Sequence, residues 1–170
     1  MKSTDPDDGH GLRATVDRYE RPLIAYALRI VGKVDDAREV VQETFLQLCR
    51  SRPYELNGNL QAWLYTVCRN KALDARRKET RMTQLDDATA AGFTSSTLEP
   101  PDSAERSESV STLVRLLTTL PPNQQEAIRL KFQHGLSYRE IAAVTQLSES
   151  NVGFLISTGL KTIRTKVNAM

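Results

Sequence analysis

Leu120 to Val167 is the stretch that most restricts what this chain can fold into, because a helix start, a turn and a hydrophobic register are all legible in it. Ser137-Tyr138-Arg139-Glu140 has the Ser-x-x-Glu form of a capping box, in which side chains satisfy the orphan amides of a helix start. Ile141, Ala142 and Val144 supply a short apolar face, and Leu147-Ser148 offers a turn and a second N-cap. Val152, Leu155, Ile156, Gly159, Leu160, Ile163 and Val167 then recur at offsets 0, 3, 4, 7, 8, 11 and 15, one stripe of a helix with a 3.6-residue period. Two helices joined by so short a turn form a helix-turn-helix, whose second helix enters a DNA major groove. A duplex DNA partner is the first expectation.

The rest of the chain is read as helical too, which makes the fold class all-α: two small helical domains on a flexible acidic linker. Residues 12–79 form the first domain. Val16, Tyr19, Leu23, Ala27, Ile30 and Val31 make its first stripe, ending near Gly32. Ala37, Val40, Val41, Thr44, Phe45 and Leu48 make the second, with Asp35 and Asp36 at its start and Arg50 and Arg52 at its end, both complementing the helix dipole. Pro53 closes that helix, and a loop runs to Asn59. Leu60, Trp63, Leu64, Val67, Cys68, Ala72 and Ala75 mark a third helix running into Arg76-Arg77-Lys78. Residues 80–108, rich in Ser, Thr, Ala, Asp and Pro, cannot bury enough apolar surface to offset chain ordering and read as the linker. Residues 109–168 form the second domain. A short helix (Val110, Leu113, Val114, Leu117), the Pro121-Pro122 break, and a helix through Ala127, Ile128, Leu130, Lys131 and Phe132 to Gly135 precede the helix-turn-helix.

Charge sharpens the expectation of a nucleic-acid partner. The formal total is only +2, yet residues 1–78 carry +3, 79–112 carry −5 and 113–170 carry +4. Two basic blocks flanking an acidic middle suit nucleic acid at both ends. Cys49 and Cys68 fit no metal spacing and both fall on apolar helical faces, which predicts buried, reduced thiols. There is no apolar run near 18 residues and no signal-peptide core, so neither membrane insertion nor export is expected and the protein is read as cytoplasmic. No metal, cofactor or small-molecule substrate is implied, and no catalytic residue is assigned. Two other classes remain. A helix-turn-helix regulator whose first domain serves dimerisation or sensing is disfavoured by the basic, aromatic helix from Trp63 to Lys78. An enzyme with a helix-turn-helix tail, such as a recombinase, is disfavoured because residues 1–80 show no strands, phosphate loop or metal cluster.

Asp35-Asp36-Ala37-Arg38-Glu39-Val40-Val41-Gln42-Glu43-Thr44-Phe45-Leu46, followed by Ala62-Trp63-Leu64-Tyr65-Thr66-Val67-Cys68-Arg69-Asn70, resembles region two of bacterial RNA polymerase sigma factors of the extracytoplasmic-function (ECF) group. Leu120-Pro121-Pro122-Asn123-Gln124-Gln125-Glu126 with Gly135-Leu136-Ser137-Tyr138-Arg139-Glu140-Ile141-Ala142 resembles that group's region four. The resemblance spans roughly 19–78 and 113–167. It implies a non-enzymatic polymerase subunit that recognises promoters and initiates transcription. Its partners would be promoter DNA and the polymerase core, through the β′ clamp and the β flap, and it admits an anti-sigma factor.

By that resemblance, Asp36, Glu39, Gln42 and Glu43 would face the β′ clamp; a solvated acidic helix face is the plainer reading. Melted −10 DNA needs cations along a backbone and aromatic or pocketed contacts for unstacked bases. Trp63, Arg69, Asn70, Lys71, Arg76, Arg77 and Lys78 are the candidates on the third helix, although Trp63 lies in the apolar stripe and core packing is the favoured reading for it. Tyr54, Asn57 and Asn59 are candidates for a base-capturing loop, or an ordinary surface turn. For the −35 element the candidates are Ser137, Tyr138, Arg139, Ser148, Ser150, Asn151, Gly153, Phe154, Ser157, Thr158 and Lys161. Where relatives have a basic run such as Val-Lys-Ser-Arg, this chain has Asn151-Val152-Gly153-Phe154, which predicts fewer phosphate contacts. Phe154 could meet a thymine methyl or pack on the preceding helix, and Gly153 could serve close approach to DNA or to a neighbouring helix. Gln146 stands where relatives place Gly, and a left-handed conformation there would cost about 1 kcal/mol.

Overall fold

The computed structural model describes residues 8–51, 59–85 and 108–170, and the chain divides into two compact units, Met1–Ser96 and Thr97–Met170. Among the described residues there are helices and no strands.

The first unit contains α1 (Asp8–Val31), α2 (Val34–Arg50) and α3 (Leu60–Leu85), each packed on the other two. α1 stops where Gly32 adopts φ +81°, its N–H closing the last turn on the Leu28 carbonyl at 2.8 Å. A left-handed residue costs glycine nothing, and Lys33 then leads directly into α2. Five of the six residues of the predicted α2 stripe, Ala37, Val40, Val41, Thr44 and Leu48, are buried, and the sixth, Phe45, is half-buried. The one hydroxyl among them is satisfied by its own helix, Thr44 Oγ1 donating to the Val40 carbonyl at 2.8 Å.

The α3 register differs from the expected one. Ala62, Leu64, Tyr65, Cys68 and Ala72 are its buried residues, while Trp63 is only half-buried. Tyr65 is the core aromatic, packed edge-on against Tyr26 of α1 with ring centroids 5.3 Å apart. α3 also runs to Leu85, so Thr80–Leu85, expected to begin the linker, are helical. Thr80 and Thr83 donate their hydroxyls back to the Arg76 and Glu79 carbonyls, and Lys33 of the α1–α2 turn pairs with Glu79. The expectation that both cysteines are buried fails for one of them. Cys68 is buried but Cys49 is exposed, because α2 carries more apolar side chains than α1 and α3 can cover.

The second unit contains α4 (Glu108–Thr118), α5 (Pro122–Phe132), α6 (Tyr138–Thr145) and α7 (Glu149–Asn168). Pro122 sits in the first turn of α5, where a missing N–H costs nothing. The Gln125 side chain donates to the Leu120 carbonyl at 2.8 Å and ties the α4 end to α5. After α5 the chain turns at Gly135, φ +70°, across which the Leu136 N–H reaches the Leu130 carbonyl and Leu136 enters the core. Phe132, expected on the apolar face of α5, is exposed, and Arg129 is buried instead. α7 packs chiefly on α5 and α6 through Val152, Leu155, Ile156 and Gly159, whereas Leu160 and Val167, counted in the same stripe, are partly exposed.

Candidate nucleic-acid interface

The helix-turn-helix is built from local signals. Glu140 N–H donates to Ser137 Oγ at 3.2 Å, and Ser137 N–H donates to Glu140 Oε2 at 2.6 Å, completing the capping box. Asn151 N–H donates to Ser148 Oγ at 3.1 Å, capping α7. These two serine oxygens therefore act as helix caps, leaving each hydroxyl proton available to a phosphate. The turn between them bends at Gln146, which adopts φ 59°, ψ 34°, a left-handed conformation.

Burial of Val152, Leu155, Ile156 and Gly159 fixes which face of α7 is free. Ser150, Asn151, Phe154, Ser157 and Lys161 are exposed, and Gly153 and Thr158 are half-buried at its edges. Phe154 is 65% exposed, so it does not pack on the preceding helix. A Cβ on Gly153 would stand 3.7 Å from Tyr138 Cε2, ordinary contact, so packing within the unit does not demand glycine there. Tyr138 and Arg139 are exposed at the start of α6, with Lys131 Nζ 5.2 Å from the Tyr138 ring centroid. Lys161 is the first cation along α7.

On α3, Asn70, Arg76, Arg77 and Lys78 are exposed, as is Asn59 just before the helix; Trp63, Arg69 and Lys71 are half-buried. Arg76 and Arg77 line a shallow depression with Leu73, Thr80 and Arg81. Arg81 escaped the sequence reading because its segment was assigned to the linker; the helical offset of four from Arg77 would have revealed it. Arg77 also pairs with Asp74 at 3.5 Å. Tyr54 and Asn57 lie outside the described residues. On α2, Glu39, Gln42 and Glu43 are exposed and Asp36 half-buried. Glu43 Oε2 is 3.8 Å from Lys71 Nζ, which links this acidic face to the basic side of α3. Gln42 and Arg38 also border an apolar groove between α1 and α2, lined by Leu12, Val16, Phe45 and the half-exposed Leu46. Sequence reasoning missed this groove because Leu46 falls off the buried stripe.

Residues 15–82 match the sigma-70 region 2 family and residues 111–163 match sigma-70 region 4. ECF RNA polymerase sigma factor EcfG of Rhodopseudomonas palustris (strain TIE-1) is 32% identical over 123 residues, 72% of this chain and 66% of that protein. ECF sigma factor SigW of Bacillus subtilis (strain 168) is 25% identical over 174 residues, 96% of this chain and 92% of that one. The chain is an RNA polymerase sigma factor of the ECF group. It directs the polymerase core to promoters and initiates transcription, as a subunit in a family whose members are not enzymes in general. Solved structures of the same fold include the sigma factor RpoE of Bartonella quintana with the anti-sigma factor NepR (TM-score 0.71, 23% identity, 93% of this chain and 97% of that one). CnrH with the cytosolic domain of CnrY is another (TM-score 0.60, 22% identity, 95% and 90%). Among the described residues of this sigma factor, no group of side chains could hold a metal ion and no helix is long and apolar enough to cross a membrane.

Proposed function

We propose that this sigma factor divides promoter reading between its two units. In this reading α7, with Ser137, Tyr138, Arg139 and Ser148 beside it, enters the −35 major groove through Ser150, Asn151, Gly153, Phe154, Ser157, Thr158 and Lys161. α3 receives −10 DNA along Arg69, Asn70, Lys71, Arg76, Arg77 and Lys78, with Trp63, Asn59 and the loop residues Tyr54 and Asn57 handling unstacked bases. Asp36, Glu39, Gln42 and Glu43 dock on the β′ clamp, and the second unit docks on the β flap. No catalytic group belongs to the scheme, and the cytoplasm, where polymerase works, is its place of action. Because the structural neighbour RpoE was solved with the anti-sigma factor NepR, such a protein is also proposed to restrain this one.

One observation supports the division best. Around the exposed Phe154 the outward stripe of α7 is small, polar and nearly uncharged, which suits base edges, while the cations gather on α3, which suits a phosphate backbone. A hydroxyl-radical footprint of the reconstituted holoenzyme tests it. Protection of both the −35 and −10 elements is expected with core polymerase, and neither element should be protected by the sigma factor alone. An equal footprint without core would instead support a polymerase-independent regulator.

A further inference from the structure

We propose that Phe154 is a specificity-determining residue that recognises thymine in the upstream duplex through its 5-methyl group. The inference rests on the reading of α7 as the −35 recognition helix. Phe154 stands at the middle of the free stripe, with Ser150 and Asn151 one turn before it and Ser157 and Thr158 one turn after. It is 65% exposed, while the opposite face of α7 is held in the core by Val152, Leu155, Ile156 and Gly159. Its phenyl ring therefore contributes little to folding and projects where a groove floor would lie.

The chemistry of that stripe narrows what a phenyl ring could read. In the major groove only thymine offers an apolar group, its C5-methyl, next to the O4 acceptor. The usual route to a guanine, a bidentate cation at the front of the helix, is missing: Glu149 is the only charged residue ahead of Lys161. Small hydroxyl and amide neighbours let the ring reach the base edge and can bond the polar atoms around the methyl. Gly153 adds space beside the ring, and Tyr138 lies across that glycine, so the wall next to Phe154 is itself partly aromatic.

The test uses the holoenzyme and a promoter duplex that it selects from a randomised pool. Each thymine of the upstream element is replaced singly by uracil, which removes the methyl and leaves pairing intact. The expected result is one position where replacement weakens binding about four-fold, the effect of one buried methyl. Phe154→Ala holoenzyme should bind the thymine and uracil duplexes equally, and Phe154→Leu should keep part of the discrimination. An upstream element without thymine, uracil replacement without effect at every position, or an undiminished uracil penalty in Phe154→Ala would each overturn the proposal. Weakened core binding by Phe154→Ala would assign the ring to polymerase docking and overturn it too. A holoenzyme that selects no sequence would overturn the promoter reading along with it.

Discussion

Gly159 of α7 is seated against Ile128 of α5: a Cβ on Gly159 would lie 2.6 Å from Ile128 Cδ1 and 3.3 Å from Leu120 Cδ1. Ile128 and Leu120 are both buried, so their methyl groups must shift within the core to admit it. Overpacking costs about 1–3 kcal/mol, against which alanine returns about 1 kcal/mol of helix propensity. Gly159→Ala is therefore expected to lower stability by about 1 kcal/mol. Gly153→Ala meets only Tyr138, at 3.7 Å, and is expected to raise stability by about 1 kcal/mol while weakening upstream DNA binding. Thermal unfolding of the two variants checks the opposite signs, and equal shifts would contradict the packing described.

Gln146 is the only non-glycine residue with positive φ among the described residues, and its backbone N–H still donates to the Ala142 carbonyl. The left-handed conformation costs a side chain about 1–2 kcal/mol. Replacement by glycine removes that strain but adds freedom to the unfolded chain. The net expectation for Gln146→Gly is a gain of about 0.5 kcal/mol, whereas Gln146→Val should lose 1 kcal/mol or more. Denaturant titration of the two variants would contradict the turn geometry if valine were tolerated as well as glycine.

Burial pushes the Cys68 thiol up to about 12, against the smaller opposing effect of the neighbouring Thr44 hydroxyl. The folded-state pKa lies above the unfolded value, so the neutral thiol's contribution is fully present below about pH 9 and is lost as pH rises towards 12. Each pH unit in that window removes up to about 1.4 kcal/mol. Tyr65, likewise raised by burial, adds its own loss above about pH 10. Melting curves of wild type and Cys68→Ala between pH 9 and 10 should show a shallower decline in the variant; parallel curves would contradict the assignment.

Glu39 and Gln42 offer a cleaner test of the proposed polymerase-facing surface than Glu43, whose carboxylate is tied to Lys71. Reversal of Glu43 would place like charges together across α2 and α3. The double variant Glu39→Lys, Gln42→Lys is expected to weaken core binding ten-fold or more, with unchanged thermal stability because both positions are exposed. Fluorescence anisotropy against core polymerase measures this. Unchanged core affinity would remove these residues from the docking surface.

Local chemistry explains which parts of the molecule could be read in advance. Ser137, Glu140 and Ser148 announce helix starts within a few residues of themselves, and Gln146 drew notice because the resemblance places glycine there. The α2 stripe was legible because one face of that helix meets both neighbours. α3 was not, because the spacing that admits Trp63 to the core also admits Tyr65, and only the position of Tyr26 on α1 decides between them. Thr80–Leu85 look like linker by composition, yet Thr80 and Thr83 hydrogen-bond to their own helix. The exposure of Cys49 and Leu46 follows from how far α1 and α3 reach, a tertiary fact that no stripe records. Candidate interface residues could be named by residue type and position; the exposure of Phe154 required the fold.

The central claim is that this chain confers promoter selectivity on RNA polymerase, and run-off transcription with purified core measures it most directly. Core polymerase with the sigma factor should produce a discrete transcript from a promoter-bearing template and none from a template with scrambled −35 and −10 elements. Core alone should give no such transcript. Identical output with and without the protein, or a transcript indifferent to both elements, would contradict the account.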